Sequence, residues 1–199
     1  MDITFESSVG ILAGTLSGIA YLLYIIRTIK GPTKPNRATW WILTLVGLII
    51  LASYYREGAR ETIWVPLAYV VGPLVIAFLS LRYGEGGWEG LDKWCLVGAL
   101  CGAGLWAISG SALTALLVNI GVDFLGIIPT IKKAYLRPAG EDKTAWALEA
   151  IACWLNLGAI KIWTFSIWVY PVYLAVANGL IALLLIYGQY KKANQSLSA

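Results

Sequence analysis

Trp94 to Val122 reads WCLVGALCGAGLWAISGSALTALLVNIGV, a run without one charged side chain. A helix crossing a bilayer needs about 20 apolar residues, so this run is too long for one crossing and divides at Ser109-Gly110-Ser111. Its first part becomes a fourth span; its second part opens a fifth that continues through Asp123 to Ile131. Uncharged runs before it cover Ser7 to Ile26, Ala38 to Tyr55 and Thr62 to Leu81. After it, a sixth span from Thr144 to Ile160 carries Glu149, and the run from Ile162 to Tyr190 holds a seventh that begins near Ile167. Dividing that one run sets the count at seven.

Composition agrees. Mean hydropathy is +0.72, hydrophobic residues make up 59% of the chain and charged residues 13%, against about 25% charged in an average soluble domain. The apolar runs are continuous, whereas barrel strands alternate apolar and polar residues. The expectation is an all-α integral membrane protein without a soluble domain.

The spans also repeat. Arg27, Lys30, a hairpin loop, Arg37, Thr39, Trp41, Arg56, Trp64 and Pro66 return after the fourth span as Lys132, Lys133, a loop, Lys143, Thr144, Trp146, Lys161, Trp168 and Pro171. Thr39 to Thr144, Trp41 to Trp146 and Pro66 to Pro171 are each 105 positions apart. The chain therefore divides into a first three-helix bundle (1–84), a linker helix (85–110, opening in the Gly-rich stretch Gly84 to Gly90) and a second three-helix bundle (111–199). Parallel repeats around a midplane site are a common transporter architecture.

Cytoplasmic loops and span ends are enriched in Lys and Arg. With seven spans, one side receives Arg27, Lys30, Lys34, Arg37, Arg82, Lys93, Lys132, Lys133, Arg137, Lys143, Lys191 and Lys192, and the other keeps Arg56, Arg60 and Lys161. This predicts the amino terminus outside and the carboxyl terminus in the cytoplasm, with both repeats in one orientation. The net charge of +4 is then a topology signal, and no nucleic-acid partner is implied. Lys30, Lys34, Arg37, Lys132 and Lys133 are read as topology anchors ahead of gating ion pairs.

Cys95, Cys101 and Cys153 all lie in apolar runs without metal-ligand spacing and are expected as small core residues. No metal or other cofactor is implied. Asp2 and Glu6 stand where a signal peptide would carry positive charge, so the first run is expected to stay as a span. The short termini favour a bacterial or archaeal cytoplasmic membrane, an organelle membrane being the alternative.

Seven spans in a three-one-three pattern, with basic hairpin loops after the first and fifth, resemble the SWEET and PQ-loop transporter superfamily. Ile128-Pro129-Thr130-Ile131-Lys132-Lys133 followed by Thr144-Ala145-Trp146 is similar to the family's Pro-Gln, basic-loop segment, with Thr130 in place of the Gln. Ala177-Asn178-Gly179 with Tyr187 and Tyr190 looks like the family's seventh span, where an Asn helps bind substrate. Pro73 stands at the first-repeat position that matches Asn178, so a two-Asn sugar site does not carry over whole. The resemblance implies a divergent carrier of a small polar metabolite.

Candidate site residues are the polar groups within the spans. Asp123 lies near the middle of the fifth span, where a charge costs about +3 kcal/mol on insertion scales. It is a candidate for substrate binding and proton coupling; the alternative is a protonated carboxyl bonded to a neighbouring helix. Asn119 shares its face at i, i+4. Glu149, a second proton-coupling candidate, shares a face with Cys153 and Asn156, and an ion pair with Lys143 is its competing explanation. Asn178 is either a ligand contact or interhelical glue, with Tyr170 and Tyr173 nearby.

Trp and Tyr concentrate at membrane interfaces, which accounts for Trp40, Trp41, Trp64, Trp88, Trp94, Trp163 and Trp168 near span ends. Trp106, Trp146 and Trp154 fall outside that pattern. Trp154, close to Asn156, could stack on a substrate or pack in the core. Pro129 breaks a helical hydrogen bond near the cytoplasmic end of the fifth span and is the candidate hinge, a static kink being the alternative.

Together these features predict a transporter of a sugar, amino acid or nucleoside working by alternating access between two bundles, with the bilayer, a small-molecule substrate and protons as partners. A homo-oligomer is allowed. The alternative is a receptor or sorting protein of the same fold that binds without moving its ligand. An enzyme is disfavoured: the chain has no His, and nothing places a nucleophile beside Asp123 and Glu149.

Overall fold

Helix starts follow local capping chemistry. The Thr4 hydroxyl accepts from the Ser7 N–H at 3.2 Å, Asn36 Oδ1 from the Thr39 N–H at 3.0 Å and Asp142 Oδ1 from the Ala145 N–H at 2.7 Å. Each satisfies a backbone donor with no partner in its own first turn. The computed structural model describes residues 4–57, 63–86, 90–109 and 112–197. Within them lie seven α-helices: α1 (Phe5–Ile29), α2 (Arg37–Glu57), α3 (Trp64–Tyr83), α4 (Leu91–Ser109), α5 (Ala112–Leu136), α6 (Lys143–Asn156) and α7 (Phe165–Leu197). Single 3-10 turns, Pro138–Gly140 and Leu157–Ala159, flank α6. Gly110 and Ser111 of the dividing Ser-Gly-Ser, and also Arg60 and Trp88, lie outside the described residues.

Among the described residues three helices are long and apolar enough to cross a membrane: Phe5–Ile29, Trp64–Tyr83 and Phe165–Lys191. The sixth helix is shorter than its apolar run predicted, with 14 residues. At 1.5 Å per residue that is about 21 Å, against a hydrocarbon core of roughly 30 Å. Its C-terminal turn has tightened into Leu157–Ala159.

Helices α1, α3 and α2 pack in that order, as do α5, α7 and α6, and the two triplets join through α1 on α6 and α2 on α5. The result is a ring, α1-α3-α2-α5-α7-α6. Exchanging each helix with its repeat counterpart leaves that order unchanged, which is the mark of a two-fold relation between the halves. Helix α4 packs along α5 and touches α2, outside the ring.

The structural register of the repeat differs by one from the sequence match at α2 and α6. Asn36 and Asp142 cap the two helices in the same way, so Trp40, not Trp41, is the counterpart of Trp146. Trp41 lies against Phe78, ring centroids 5.3 Å apart. Two adjacent tryptophans made the sequence ambiguous by one residue, and the caps remove the ambiguity.

Polar side chains are buried within a largely apolar core, and large apolar side chains also cover the exterior. Ser17, Asn119, Asp123, Thr130, Glu149, Asn156 and Asn178 are buried, whereas Leu12, Leu22, Val71, Phe78, Leu180 and Leu183 face outward. An apolar exterior of this extent is what contact with lipid requires. Small residues bring the backbones close: a Cβ on Gly72 would overlap the Tyr21 ring, and one on Gly47 would lie 2.6 Å from the Tyr69 carbonyl oxygen.

Candidate central site

All six helices of the ring contribute to one central cavity. It is lined by Ala20, Tyr21 and Tyr24 of α1, Trp40 and Leu43 of α2, Tyr69 of α3, Ile127 of α5, Ala145, Trp146 and Glu149 of α6, and Asn178 of α7. Its volume is about 20 Å³; a single water needs roughly 10–15 Å³ on that measure. The cavity is closed down to the size of one water, too small for a metabolite.

Five aromatic rings form most of the wall. Trp40 and Trp146 lie 6.2 Å apart between centroids, Tyr24 and Trp40 4.8 Å, and Tyr24 meets Trp146 edge to face at 6.4 Å. Tyr21 stands edge to face with both Trp40 and Tyr69 at 6.4 Å. In α1, Ser17, Tyr21 and Tyr24 follow one another at helical spacing, so all three face inward together.

The carboxylates are held by uncharged donors. Ser17 Oγ donates to Glu149 Oε2 at 2.7 Å, and the Cys153 thiol contacts Glu149 Oε1 at 3.7 Å. Lys143, the alternative partner, is exposed. Asp123 Oδ1 accepts from the Tyr69 hydroxyl at 2.9 Å and Oδ2 from the Tyr173 hydroxyl at 2.6 Å. Among the described residues no Lys or Arg pairs with either carboxylate.

A charged network closes the end of the ring that carries the α1–α2 and α5–α6 connections. Lys133 is 6% exposed. Its Nζ lies 2.8 Å from Glu141 Oε1 and 3.1 Å from Glu85 Oε1, and also donates to the Lys34 carbonyl. Glu141 Oε2 accepts from the Tyr24 hydroxyl at 2.6 Å and from Trp146 Nε1 at 3.0 Å. Arg27 pairs with Asp142 at 3.3 Å, and the Lys34 N–H donates to the Gly140 carbonyl at 3.1 Å. Tyr24 and Lys34 belong to the first half, Glu85 opens the linker, and Lys133, Glu141 and Trp146 belong to the second half. The seal therefore bridges the halves, and Lys133 is more than the topology anchor its position in the sequence suggested.

The expected site residues separate by their distance from the cavity. Glu149 and Asn178 line the cavity; the Asn178 amide donates to the Leu174 carbonyl at 2.9 Å and lies 3.7 Å from Cys153 Sγ. Asp123 stands one hydrogen bond behind the wall, through Tyr69. Asn119 and Asn156 are buried but not among the lining residues; among the described residues neither amide atom of Asn119 has a hydrogen-bond partner, nor has Asn156 Oδ1. Trp154 is 56% exposed, on the outside of α6, where it cannot stack on a centrally bound molecule. Pro129 is inside α5, buried beside a surface groove shared with Glu85, Lys132 and Arg137.

Sequence reasoning missed Tyr21, Tyr24, Tyr69, Ser17 and Glu141. It also assigned Trp40 to the interfacial belt, whereas Trp40 is 3% exposed. Trp64, Trp94 and Trp163 are exposed, as belt residues should be. The available signal was positional: Trp40 and Trp146 each lie four residues beyond a cap, one turn inside the helix.

Comparison with protein-family models, curated proteins and solved structures finds no match for the chain.

Proposed function

We propose that the chain is a membrane carrier for a small polar molecule, with all seven helices crossing the bilayer and the sealed, cation-rich end in the cytoplasm. The observation that carries this reading is the central cavity, walled by both halves of a two-fold helix ring and bordered by buried carboxylates. A charge inside a membrane is expensive and commonly marks a substrate or ion pathway. Two related halves around such a site suit alternating access, in which the halves rock and expose the site to each side in turn.

In this reading the described state is closed, with the Lys133–Glu141 network holding the cytoplasmic side shut. Opening requires Tyr24 and Lys34 to part from Glu141 and Lys133, which widens the cavity from the same side. Glu149 contacts the substrate, and Asp123, sensed through Tyr69, carries a proton. The chain is then a divergent relative of the SWEET and PQ-loop carriers, a likeness carried by topology and two short motifs.

The test is uptake of labelled sugars, amino acids, nucleosides and amines into proteoliposomes, with and without an inward proton gradient, for wild type and Asp123→Asn. Gradient-driven accumulation that the variant loses is the expected result. Equilibration indifferent to the gradient would remove Asp123 from coupling, and absence of flux for every solute would favour a receptor.

A further inference from the structure

We propose that the central cavity, when widened beyond its closed volume, takes a small organic cation lacking a carboxylate, held against the rings of Tyr21, Tyr24, Trp40, Tyr69 and Trp146 with Glu149 as its counter-charge. The proposal rests on the carrier reading for its biological meaning but not for its chemistry.

The first argument is where the polar atoms of the rings go. The Tyr24 hydroxyl and Trp146 Nε1 both donate to Glu141, and the Tyr69 hydroxyl donates to Asp123. Three of the five rings thus have their donors engaged behind the wall, which leaves their carbon surfaces to the cavity. A sugar needs a dense set of hydrogen bonds to replace its hydration, and this lining offers few. A cation needs the opposite: Trp and Tyr faces attract it through the ring quadrupole. Donation from Tyr69 to a carboxylate pushes electron density into the ring and strengthens that attraction.

The second argument is charge. Glu149 is the one ionisable carboxyl among the lining residues, and its described partners are a hydroxyl and a thiol. A buried carboxylate without a cation is costly, and a cationic ligand supplies the missing charge. No Lys or Arg lines the cavity. Lys133 is taken by Glu141 and Glu85, and Arg27 by Asp142. A ligand carboxylate or phosphate would therefore meet Glu149 with nothing to neutralise it. Amino acids, including basic ones, are disfavoured on this ground, and simple or quaternary amines fit.

The probe is choline, set against its neutral carbon isostere 3,3-dimethylbutan-1-ol, with lysine and glucose as competitors, measured by calorimetry on the full chain in nanodiscs. Choline is expected to bind about tenfold or more tightly than the isostere, and neither lysine nor glucose should displace it. Glu149→Gln and Trp146→Leu should each weaken choline binding about tenfold, while Trp146→Phe, which keeps a ring face, should retain most of it. Equal binding of choline and the isostere, displacement by glucose or lysine, or absence of choline binding would overturn the proposal. The wild-type pair comparison needs no variant to fold. Labelled choline uptake into proteoliposomes separates the two readings: binding without flux keeps the cation site and refutes the carrier, whereas sugar flux without choline binding keeps the carrier and refutes the cation site.

Discussion

Ser17 of α1 donates a 2.7 Å hydrogen bond to Glu149 of α6, joining the two halves at the wall of the cavity itself. The contact is also local electrostatics, because it is the shorter of the two described bonds to that carboxyl. Removing a donor from a buried acceptor costs about 1–3 kcal/mol. Ser17→Ala should therefore lower the thermal unfolding midpoint in detergent and reduce uptake, and Ser17→Thr, which keeps a hydroxyl, should recover much of both. Unchanged stability and uptake in Ser17→Ala would mean that the bond holds neither the fold nor the site.

The seal at the basic end makes a different prediction, readable through Cys153, which contacts Glu149. With Cys95 and Cys101 replaced by Ser, Cys153 becomes the single thiol and reports access to the cavity by its rate of maleimide labelling. Lys133→Ala strips Glu141 of its cation and leaves a buried charge unpaired, a loss of about 3–5 kcal/mol. Labelling from the basic side should accelerate several-fold. The paired change Lys133→Met with Glu141→Gln removes both charges and should bring the rate back towards wild type. Equal rates in all three proteins would show that the network does not gate the cavity.

What the sequence revealed and what it hid divide along physical lines. Helix number was legible because apolar run length is a local property: α4 ends at Ser109 and α5 opens at Ala112, where the long run was divided, while α6 ends at Asn156, short of its run. Glu149 and Asn178 were legible because a polar residue in an apolar run is conspicuous. Tyr21, Tyr24, Tyr69 and Trp40 were not, since an aromatic residue near a span end suits either the lipid interface or the interior. Which one applies depends on how each helix is rotated in the ring, and that is set by contacts between α1, α3 and α6. Trp154 failed for the same reason in reverse: it neighbours Asn156 along the chain, but that spacing is far from one helical turn, so the two face different ways. Glu141 was invisible because it sits in a polar connection, and only the folded loop carries it beneath Tyr24 and Trp146.

The approach of Tyr21 to Gly72 gives a steric test. A Cβ at position 72 would occupy the space of the Tyr21 ring, so Gly72→Ala must swing that ring away from Trp40 and Tyr69. Overpacking of this kind costs about 1–3 kcal/mol, and the cavity loses part of its wall. Gly18, on the same helix as Tyr21, has open space at its Cβ, so Gly18→Ala serves as a control that should leave stability and ligand binding near wild type. If Gly72→Ala behaved like Gly18→Ala, the α1–α3 packing described here would be wrong.

Pro129 separates a hinge from a static kink by kinetics. It lies within α5 between Asp123, behind the cavity, and Lys133, in the seal, so bending there would move the seal relative to the site. Replacing it with Ala restores a backbone donor to the helix interior and removes a ring that clashes with the preceding turn. Substrate affinity should be unchanged, because Pro129 does not line the cavity. The maximal uptake rate should fall, because a continuous α5 resists the motion that opens the seal. An equal change in affinity and rate would place the effect in the site, and no change in either would make the proline a fixed feature of the helix. Coupling to the seal adds a check: in the Lys133→Ala background the seal is already weakened, so Pro129→Ala should slow uptake less than it does in wild type.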